Sequence, residues 1–395
     1  MDNKRTTMQR LAAWFGLGAL MFGTYCGANM ASGVYAAAYI VTLGGGWMWV
    51  WLLMFAAIMS FFCVVGLDFV RSYKVTNYNE YYLALYNLNK PGSNKALKTI
   101  VSLFFDIWTM MLGVVTTAAT IALFAELCNS LLGMPLVVAK IIAVVMFAIL
   151  TIYGAGFLRK FNTIMTISLV VSLIAIVIAV INNRGEVLAE RIGNFNLGLD
   201  WTGTTVAAHF SMFFSYCMTT ASWGSSLSNY ADQMHDKKDA IGSGIMIGVM
   251  VTTLFLMTGM IVLPYMPEVM AGTPILMICQ KYLSPALTIF YWVAVMLSVI
   301  STAPTFTYNF TNRWVQVWKT EKVSRRVKFF VLSASFLAAC WLISSVGLLA
   351  IVQKGYVLLG DLALPTMVIP MLISIYRVAK KDRAEKAALK ENTQA

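Results

Sequence analysis

Between Phe22 and Tyr35, an apolar segment long enough to cross a bilayer is interrupted by three glycines, a threonine, an asparagine and a serine. The run reads Phe22-Gly-Thr-Tyr-Cys-Gly-Ala-Asn-Met-Ala-Ser-Gly-Val-Tyr35. Lipid offers no partner for backbone amides and carbonyls. Non-helical backbone at that depth therefore persists only where protein buries it or a cavity solvates it. Breaks of this kind in spanning helices are the usual mark of a small-solute or ion site. A second polar run, Thr219-Thr-Ala-Ser-Trp-Gly-Ser-Ser-Leu-Ser-Asn229, interrupts another apolar segment far downstream. A chain with two such breaks has to fold so that neighbouring helices cover both.

The rest of the chain supplies those helices. It is 59% hydrophobic and only 12% charged, against roughly 25% charged in a soluble domain. An all-α polytopic membrane protein follows. Ten spans are expected, at about 11–39, 47–70, 99–128, 136–157, 162–181, 203–231, 240–265, 286–311, 327–347 and 352–376, each near the 20 or so residues a span needs. The first is longer than a signal-peptide core and is not followed by a small-residue cleavage pattern, so it counts as a span.

The net charge of +12 reads as an orientation signal and not as a nucleic-acid footprint. With the N-terminus inside, most of the basic residues fall on cytoplasmic loops. They include Arg71, Lys74, Lys90, Lys95, Lys98, Arg159, Lys160, Lys237, Lys238, Arg313, Lys319, Lys322, Arg325, Arg326 and Lys328, and the tail from Arg377 to Lys390 joins them. This is the positive-inside pattern of a multi-pass protein of the cell membrane, with both termini cytoplasmic. The six cysteines show no CxxC spacing, and most lie in spans as small apolar residues. A Cys128–Cys279 disulfide on the outer face is conceivable. No metal-ligand cluster is visible, and the two histidines, His209 and His235, lie far apart.

Ten spans with breaks in the first and sixth divide into two halves of five. An odd number forces the second half into the membrane with opposite topology, the logic of an inverted repeat. The expected organisation is a first repeat at 1–181, an extracytoplasmic linker at 182–202, a second repeat at 203–377 and a charged cytoplasmic tail at 378–395. No residue-level identity between the halves supports this, so the repeat rests on span count and break position. Asn77–Asn89, rich in tyrosine and too short to span, reads as an interfacial helix on the inner side. Thr273–Leu283, with Pro274 suited to a helix start, reads as a short outer lid helix or an ordinary connecting turn.

At the first break, Gly23 and Gly27 let the backbone leave helical geometry cheaply. An unwound turn would free carbonyls for a cation and present an N-terminal helix end to a carboxylate. A GxxxG-type packing face is the alternative, although Asn29 and Ser32 add polar groups that packing does not need. Gly27, Ala28, Asn29 and Ser32 are thus expected to line a substrate site. Thr219, Ser222, Trp223, Gly224 and Ser225 should face them from the second break. Of the ionisable groups at membrane depth, Asp106 and Asp361 are the candidates for a proton relay or a cationic substrate, with structural hydrogen bonding as the competing role. Glu126 and Lys140 sit near the outer boundary and should snorkel, and His209 lies in the outer part of the sixth span.

Ten spans, an inside N-terminus, breaks in the first and sixth helices, an inner helix after the second and an outer helix after the seventh together resemble the leucine-transporter fold of the amino acid–polyamine–organocation superfamily. The resemblance covers about residues 10–377. At motif level the chain looks most like the YkvI-type membrane proteins, whose first span carries a Gly-Ala-Gly-Phe-Ala-Ser-Gly-Gln-Glu signature. Here Gly27, Ala28, Ala31, Ser32 and Gly33 match, while Val34-Tyr35 replaces Gln-Glu. The run Gly355-Tyr-Val-Leu-Leu-Gly360 in the tenth span is also similar. In sodium-coupled members of this fold, adjacent hydroxyl residues on the eighth helix meet carbonyls of the broken first helix. The resemblance therefore pairs Ser301 and Thr302 with the carbonyls of Gly23 and Cys26 as a sodium site, hard oxygen ligands for a hard cation. Back-bonding of Ser301 and Thr302 to their own helix is the alternative.

These readings converge on a secondary transporter of a small polar solute (amino acid, amine or small organic ion). It would work by alternating access, with sodium as the expected coupling ion and no other cofactor. A proton-coupled transporter is one alternative. Another is an amino-acid-binding sensor like a spore-germinant receptor subunit, which binds without net transport. An enzyme is not expected, since no paired carboxylates or His-Glu metal motif appear. The expected partners are the solute and the bilayer. Oligomeric state cannot be read from the sequence.

Overall fold

The computed structural model describes residues 6–152, 155–195, 202–228, 230, 234–270, 272–320 and 322–394. Side chains of residues 152–163 and 389–394 lie outside this description, as do Asn229 and most of the predicted linker's second half.

Local sequence punctuates the helices where capping chemistry allows. The first helix, α1 (Thr7–Tyr25), starts on a capping box in which Thr6 and Gln9 exchange hydrogen bonds. It stops at Cys26–Gly27, and α2 (Ala28–Ala31) follows. Gly33 then takes φ +82°, a left-handed turn that glycine adopts without penalty, and a π turn covers Ala36–Ile40. Next come α3 (Gly45–Tyr73), the short α4 (Tyr78–Leu85) and α5 (Lys95–Leu132), the last capped by Asn94 and ended by Gly133 in the left-handed region. Two further helices are α6 (Leu136–Ile152) and α7 (Ala155–Ile192).

The expected second break is milder: the backbone stays right-handed helical and only changes helix type. Helix α8 (Val206–Met218), capped by Thr205, tightens into a 3₁₀ turn over Thr219–Ser222 and then into α9 (Trp223–Ser226). After it come α10 (Lys237–Val262), α11 (Pro274–Tyr282), α12 (Pro285–Val317) and α13 (Arg325–Ser344). The final rod joins α14 (Leu348–Ala350), α15 (Tyr356–Ala363) and α16 (Ile369–Gln394) through two π turns. Among the described residues, seven helices are long and apolar enough to cross a membrane: α3, α5, α7, α10, α12, α13 and the rod from Leu348. The predicted fourth span is the shorter apolar α6, and the predicted first and sixth are the two broken elements.

Two packed groups sandwich the breaks. In one, α1 and α3 both lie along α10; in the other, α5, α6, α12 and α13 pack together, with α7 against α12. The rod from Leu348 closes the bundle against α8 and α5. One face is stitched by charge. Arg10 bonds Asp236 at 2.6 Å, Lys237 reaches Asp68 at 3.5 Å, and Arg71 bridges Asp68 and Asp382 at 2.7 and 2.6 Å. Arg10 of the first helix and Asp382 of the last both take part in this basic face.

Several expectations change in detail. The segment read as a linker from residue 182 begins as helix, because α7 continues to Ile192 across a kink at Arg184. The extension is held from outside: Arg191 donates to the carbonyls of Leu263 and Met266, and the Arg184 guanidinium lies 4.5 Å from the Tyr265 ring and 4.7 Å from the Tyr282 ring. The short helix expected within Thr273–Leu283 forms as α11. The tyrosine-rich helix forms as α4, but its tyrosines point into the bundle. Tyr81 and Tyr82 are buried, and Tyr82 stacks on Phe105 with centroids 3.6 Å apart. Cys128 and Cys279 are free, buried thiols, not a disulfide.

Candidate functional site

The two breaks meet in the middle of the bundle. At the first, the Gly27 amide turns back to the Tyr25 carbonyl at 2.7 Å, which deprives the Gly23 carbonyl of its helical partner. A Cβ on Gly27 would lie 3.5 Å from Thr302 Oγ1, so this turn faces α12 at the hydroxyl pair. Ser301 is buried, and Thr302 Oγ1 donates to the Ser298 carbonyl at 2.9 Å. Pro304, one turn on, has no amide to offer Ile300, so a further α12 carbonyl beside the pair loses its helical bond. Gly23 faces Thr166 of α7, with 3.4 Å from its notional Cβ to Thr166 Oγ1.

The remaining first-break residues are buried and point elsewhere. Asn29 donates its Nδ2 toward the Thr116 carbonyl and Thr120 Oγ1 on α5, both at 3.4 Å. Its Oδ1 is buried with no hydrogen-bond partner among the described residues. Ala28 is fully buried. The Ser32 hydroxyl donates to the Asn29 carbonyl at 2.7 Å, and the Ser32 carbonyl accepts the Ile275 amide of α11 at 3.1 Å. Tyr291 of α12 donates to the Ala31 carbonyl at 2.8 Å. The short α2 is therefore held on three sides, by α5, α11 and α12.

At the second break, hydroxyls of Thr219, Ser222 and Ser225 bond back to carbonyls three residues earlier, which satisfies the 3₁₀ turn internally. Ser222, Ser225 and Ser226 line a cavity of about 690 Å³ whose other walls are α4, α5 and α12. Gly224 does not face that space. Its notional Cβ would meet Gly66 and the Tyr81 ring, so a packing role accounts for it.

Between the breaks and the face opposite the basic one, the space is filled with rings. Tyr25 meets Tyr216 hydroxyl to hydroxyl at 2.5 Å and lies 5.4 Å from Trp223. Tyr39 stacks on Tyr216 at 4.3 Å, and Tyr35 contacts both Tyr216 and Tyr356. Residue-by-residue reading missed this cluster. Tyr25, Tyr35, Tyr39 and Tyr216 are spread over two distant segments, and tyrosine in a membrane chain ordinarily signals an interface.

The two carboxylates part ways. Asp106 pairs with Arg313, whose Nη2 lies 2.6 Å from Oδ2 and whose Nε lies 3.1 Å from Oδ1, and it accepts the Tyr78 hydroxyl. All three residues line the cavity. Burial and the bond to the Asp106 carboxylate push the Tyr78 hydroxyl well above the usual tyrosine range. Asp361 instead sits on the outside of the bundle and accepts the Ser215 hydroxyl at 2.5 Å. Lys140 donates to the Ser344 carbonyl at 3.0 Å, and the Glu126 carboxylate lies against Gly272 just before α11. His209 is buried, its Nε2 2.9 Å from the Tyr39 carbonyl.

No protein-family profile and no curated protein matches the chain. Solved structures do. A mutant of the Eremococcus coleocola manganese transporter aligns over 94% of this chain and 81% of its own, with TM-score 0.59 at 15% identity. The inward-facing conformation of Mhp1 aligns over 91% and 75%, with TM-score 0.57 at 15% identity. MhsT in complex with L-phenylalanine aligns over 88% and 87%, with TM-score 0.59 at 15% identity. The chain thus has the leucine-transporter fold.

Proposed function

We propose that the chain is a secondary transporter of a small polar organic solute, worked by alternating access about the two breaks. The observation that carries this reading is an asymmetry around them. A 690 Å³ cavity reaches the second break from one side, while the tyrosine cluster fills the other. That is the arrangement of a site open to one face at a time, and its likeness to inward-facing Mhp1 supports it. The basic face would be cytoplasmic by the positive-inside rule. Ten spans in a 5+5 inverted repeat, with boundaries near 1–181, 182–202, 203–377 and 378–395, fit this reading, as does a YkvI-type origin for the Gly27–Gly33 run.

Sodium is the favoured coupling ion. The Gly23 and Cys26 carbonyls with the hydroxyls of Ser301 and Thr302 would hold it, and a Cβ placed on Gly27 would lie 3.5 Å from Thr302 Oγ1, which supports their pairing. Substrate would contact Gly27, Ala28, Asn29, Ser32, Thr219, Ser222, Trp223 and Ser225, with Gly224 supporting them from behind. An organic cargo is preferred to a metal ion. Divalent transition metals want imidazole, thiolate or carboxylate ligands, and no group of three such side chains occurs among the described residues. The named neighbours are transporters of manganese in one case and a complex with L-phenylalanine in another; the ligand set here sides with the second kind.

Thermal unfolding of the detergent-purified protein tests this. Amino acids, amines and small carboxylates would be screened in sodium chloride and in choline chloride. A solute at about 100 times its Kd adds about 2.7 kcal/mol. A shift that needs sodium supports coupled transport. Shifts equal in both salts, with no counterflow in proteoliposomes, would move the reading to a sensor. Equal shifts with counterflow driven by a pH gradient would move the coupling to protons through Asp106 or Asp361.

A further inference from the structure

We propose that the cavity on the basic face holds a second solute site, a carboxylate-binding station at Arg313 that is separate from the breaks. The cavity's polar wall is built by one face of α12. Asn309, Asn312, Arg313 and Gln316 recur at i, i+3, i+4 and i+7, the spacing that aligns side chains along one helix flank. Across from them stand Asn77 and Asn79. The wall is rich in amides, which donate and accept, and it contains one guanidinium.

That guanidinium is oriented before any ligand arrives. Asp106, only 8% exposed, takes the Nε and Nη2 edge in a two-pronged pair, and Tyr78 donates to the same carboxylate. A guanidinium has five donors in a rigid fork, so one carboxylate leaves donors over. Arg313 keeps 35% of its side chain accessible, within the cavity. The pair supplies geometry while cancelling its own charge. A singly charged carboxylate with a polar or aromatic body suits this wall; a dianion would find too little positive charge, and a bare cation would meet the guanidinium. Half-buried Trp314 offers apolar surface for such a body, and the buried Trp108 ring borders the same space.

The inference does not depend on the transport reading, and its test is chosen to keep the two apart. Trp108 and Trp314 make the cavity optically visible. The probes are 4-bromobenzoate and its uncharged counterpart 4-bromobenzamide, titrated against the tryptophan fluorescence of the purified full-length protein. Quenching by the carboxylate should saturate, with an affinity about tenfold above that of the amide, a difference of about 1.4 kcal/mol. Arg313→Gln should bring the two probes level, and Arg313→Lys should fall between. Because Arg313→Gln strands Asp106, the charge-balanced double variant Asp106→Asn/Arg313→Gln is measured beside it and should also lose the discrimination. Trp108→Phe with Trp314→Phe should remove the saturable component. Thr302→Ala, at the first break, should leave it unchanged. Equal quenching by both probes in the native protein, or saturable carboxylate quenching that survives Arg313→Gln and the double variant, would overturn the site. Saturation lost in Thr302→Ala but kept in Arg313→Gln would place the probe at the breaks, sinking this station and supporting the central site. Arg313-dependent saturation without any solute uptake would keep the station and sink the transport reading.

Discussion

Gly27 and Thr302 face each other across the turn that interrupts the first helix, 275 residues apart in sequence (302 − 27) and 3.5 Å apart once a Cβ is placed on the glycine. The approach leaves room for one methyl and no more. Gly27→Ala should therefore fold with native-like melting, since its φ of −87° suits alanine. Gly27→Val should not, because its added methyls would be driven into Thr302. If the turn and the hydroxyl pair bind a cation together, Gly27→Ala should weaken the sodium dependence of solute-induced stabilisation about as much as Thr302→Ala does. A sodium response unchanged in both variants would remove this pair from the ion site.

On the basic face, the link from Arg10 to Asp236 gives a pH dependence with a definite sign. Partial burial raises the Asp236 pKa, but the Arg10 guanidinium and the amides of Asp239 and Lys238 outweigh it and hold the carboxyl below the usual aspartate range. A depressed folded value means the stabilisation is fully present above the ordinary aspartate range. It is lost as pH falls through the folded value. Spin labels at Met8 and Lys238 should therefore report a close, narrow distance at neutral pH that broadens only under acid conditions. In Asp236→Asn the broad distribution should already be present at neutral pH. A distribution indifferent to both changes would show that other contacts hold the first helix.

Gly360 predicts a cost in stability and not in binding. Its notional Cβ falls on the backbone carbonyl of Ser215, where the last rod crosses α8. Backbone cannot swing aside as a side chain can, so Gly360→Ala should push the rod away and cost about 1–3 kcal/mol, the usual range for overpacking. It should also disturb the neighbouring Ser215–Asp361 bond. Ser215→Ala breaks that bond without moving the helices, so thermal melting of the two variants separates helix spacing from the hydrogen bond. Equal melting temperatures would mean the rod tolerates the displacement.

The fold was legible because its signals are one-dimensional. Apolar runs, the Pro274 helix start, the tyrosine-rich Asn77–Asn89 segment and the two polar runs can be read along the chain; α4, α11 and the discontinuity at Cys26–Gly27 appear where expected, while Thr219–Ser226 stays helical and changes only its type. What stayed hidden depends on which helices become neighbours. Nothing near Asp106 in sequence announces Arg313, because the pair is made by α5 running against α12. Gly224 looked like a binding glycine among serines, yet only the proximity of Gly66 and Tyr81 shows that its open side is already filled. The extent of α7 was missed for a similar reason. A polar stretch beyond the bilayer reads as loop, and its helix is held by carbonyls of Leu263 and Met266.

The tyrosine plug makes the most demanding prediction for alternating access. Tyr25 and Tyr216 hold the two breaks together hydroxyl to hydroxyl, and Cys26 and Cys217 lie fully buried immediately beside them. Tyr25→Phe leaves the Tyr216 hydroxyl buried without this partner, a loss of about 1–3 kcal/mol charged against the closed arrangement. If that arrangement is one of two functional states, its loss should shift the population and not unfold the protein. Cys217 in cells should then become reactive toward a membrane-impermeant thiol reagent added outside, with Cys26→Ser as background, while the native protein reacts slowly. The other four buried cysteines should stay protected in both. Faster labelling of all the cysteines together would mean that Tyr25→Phe loosens the whole bundle. No change at Cys217 would mean that the plug is static core, and the site would then have to communicate with the opposite face by another route.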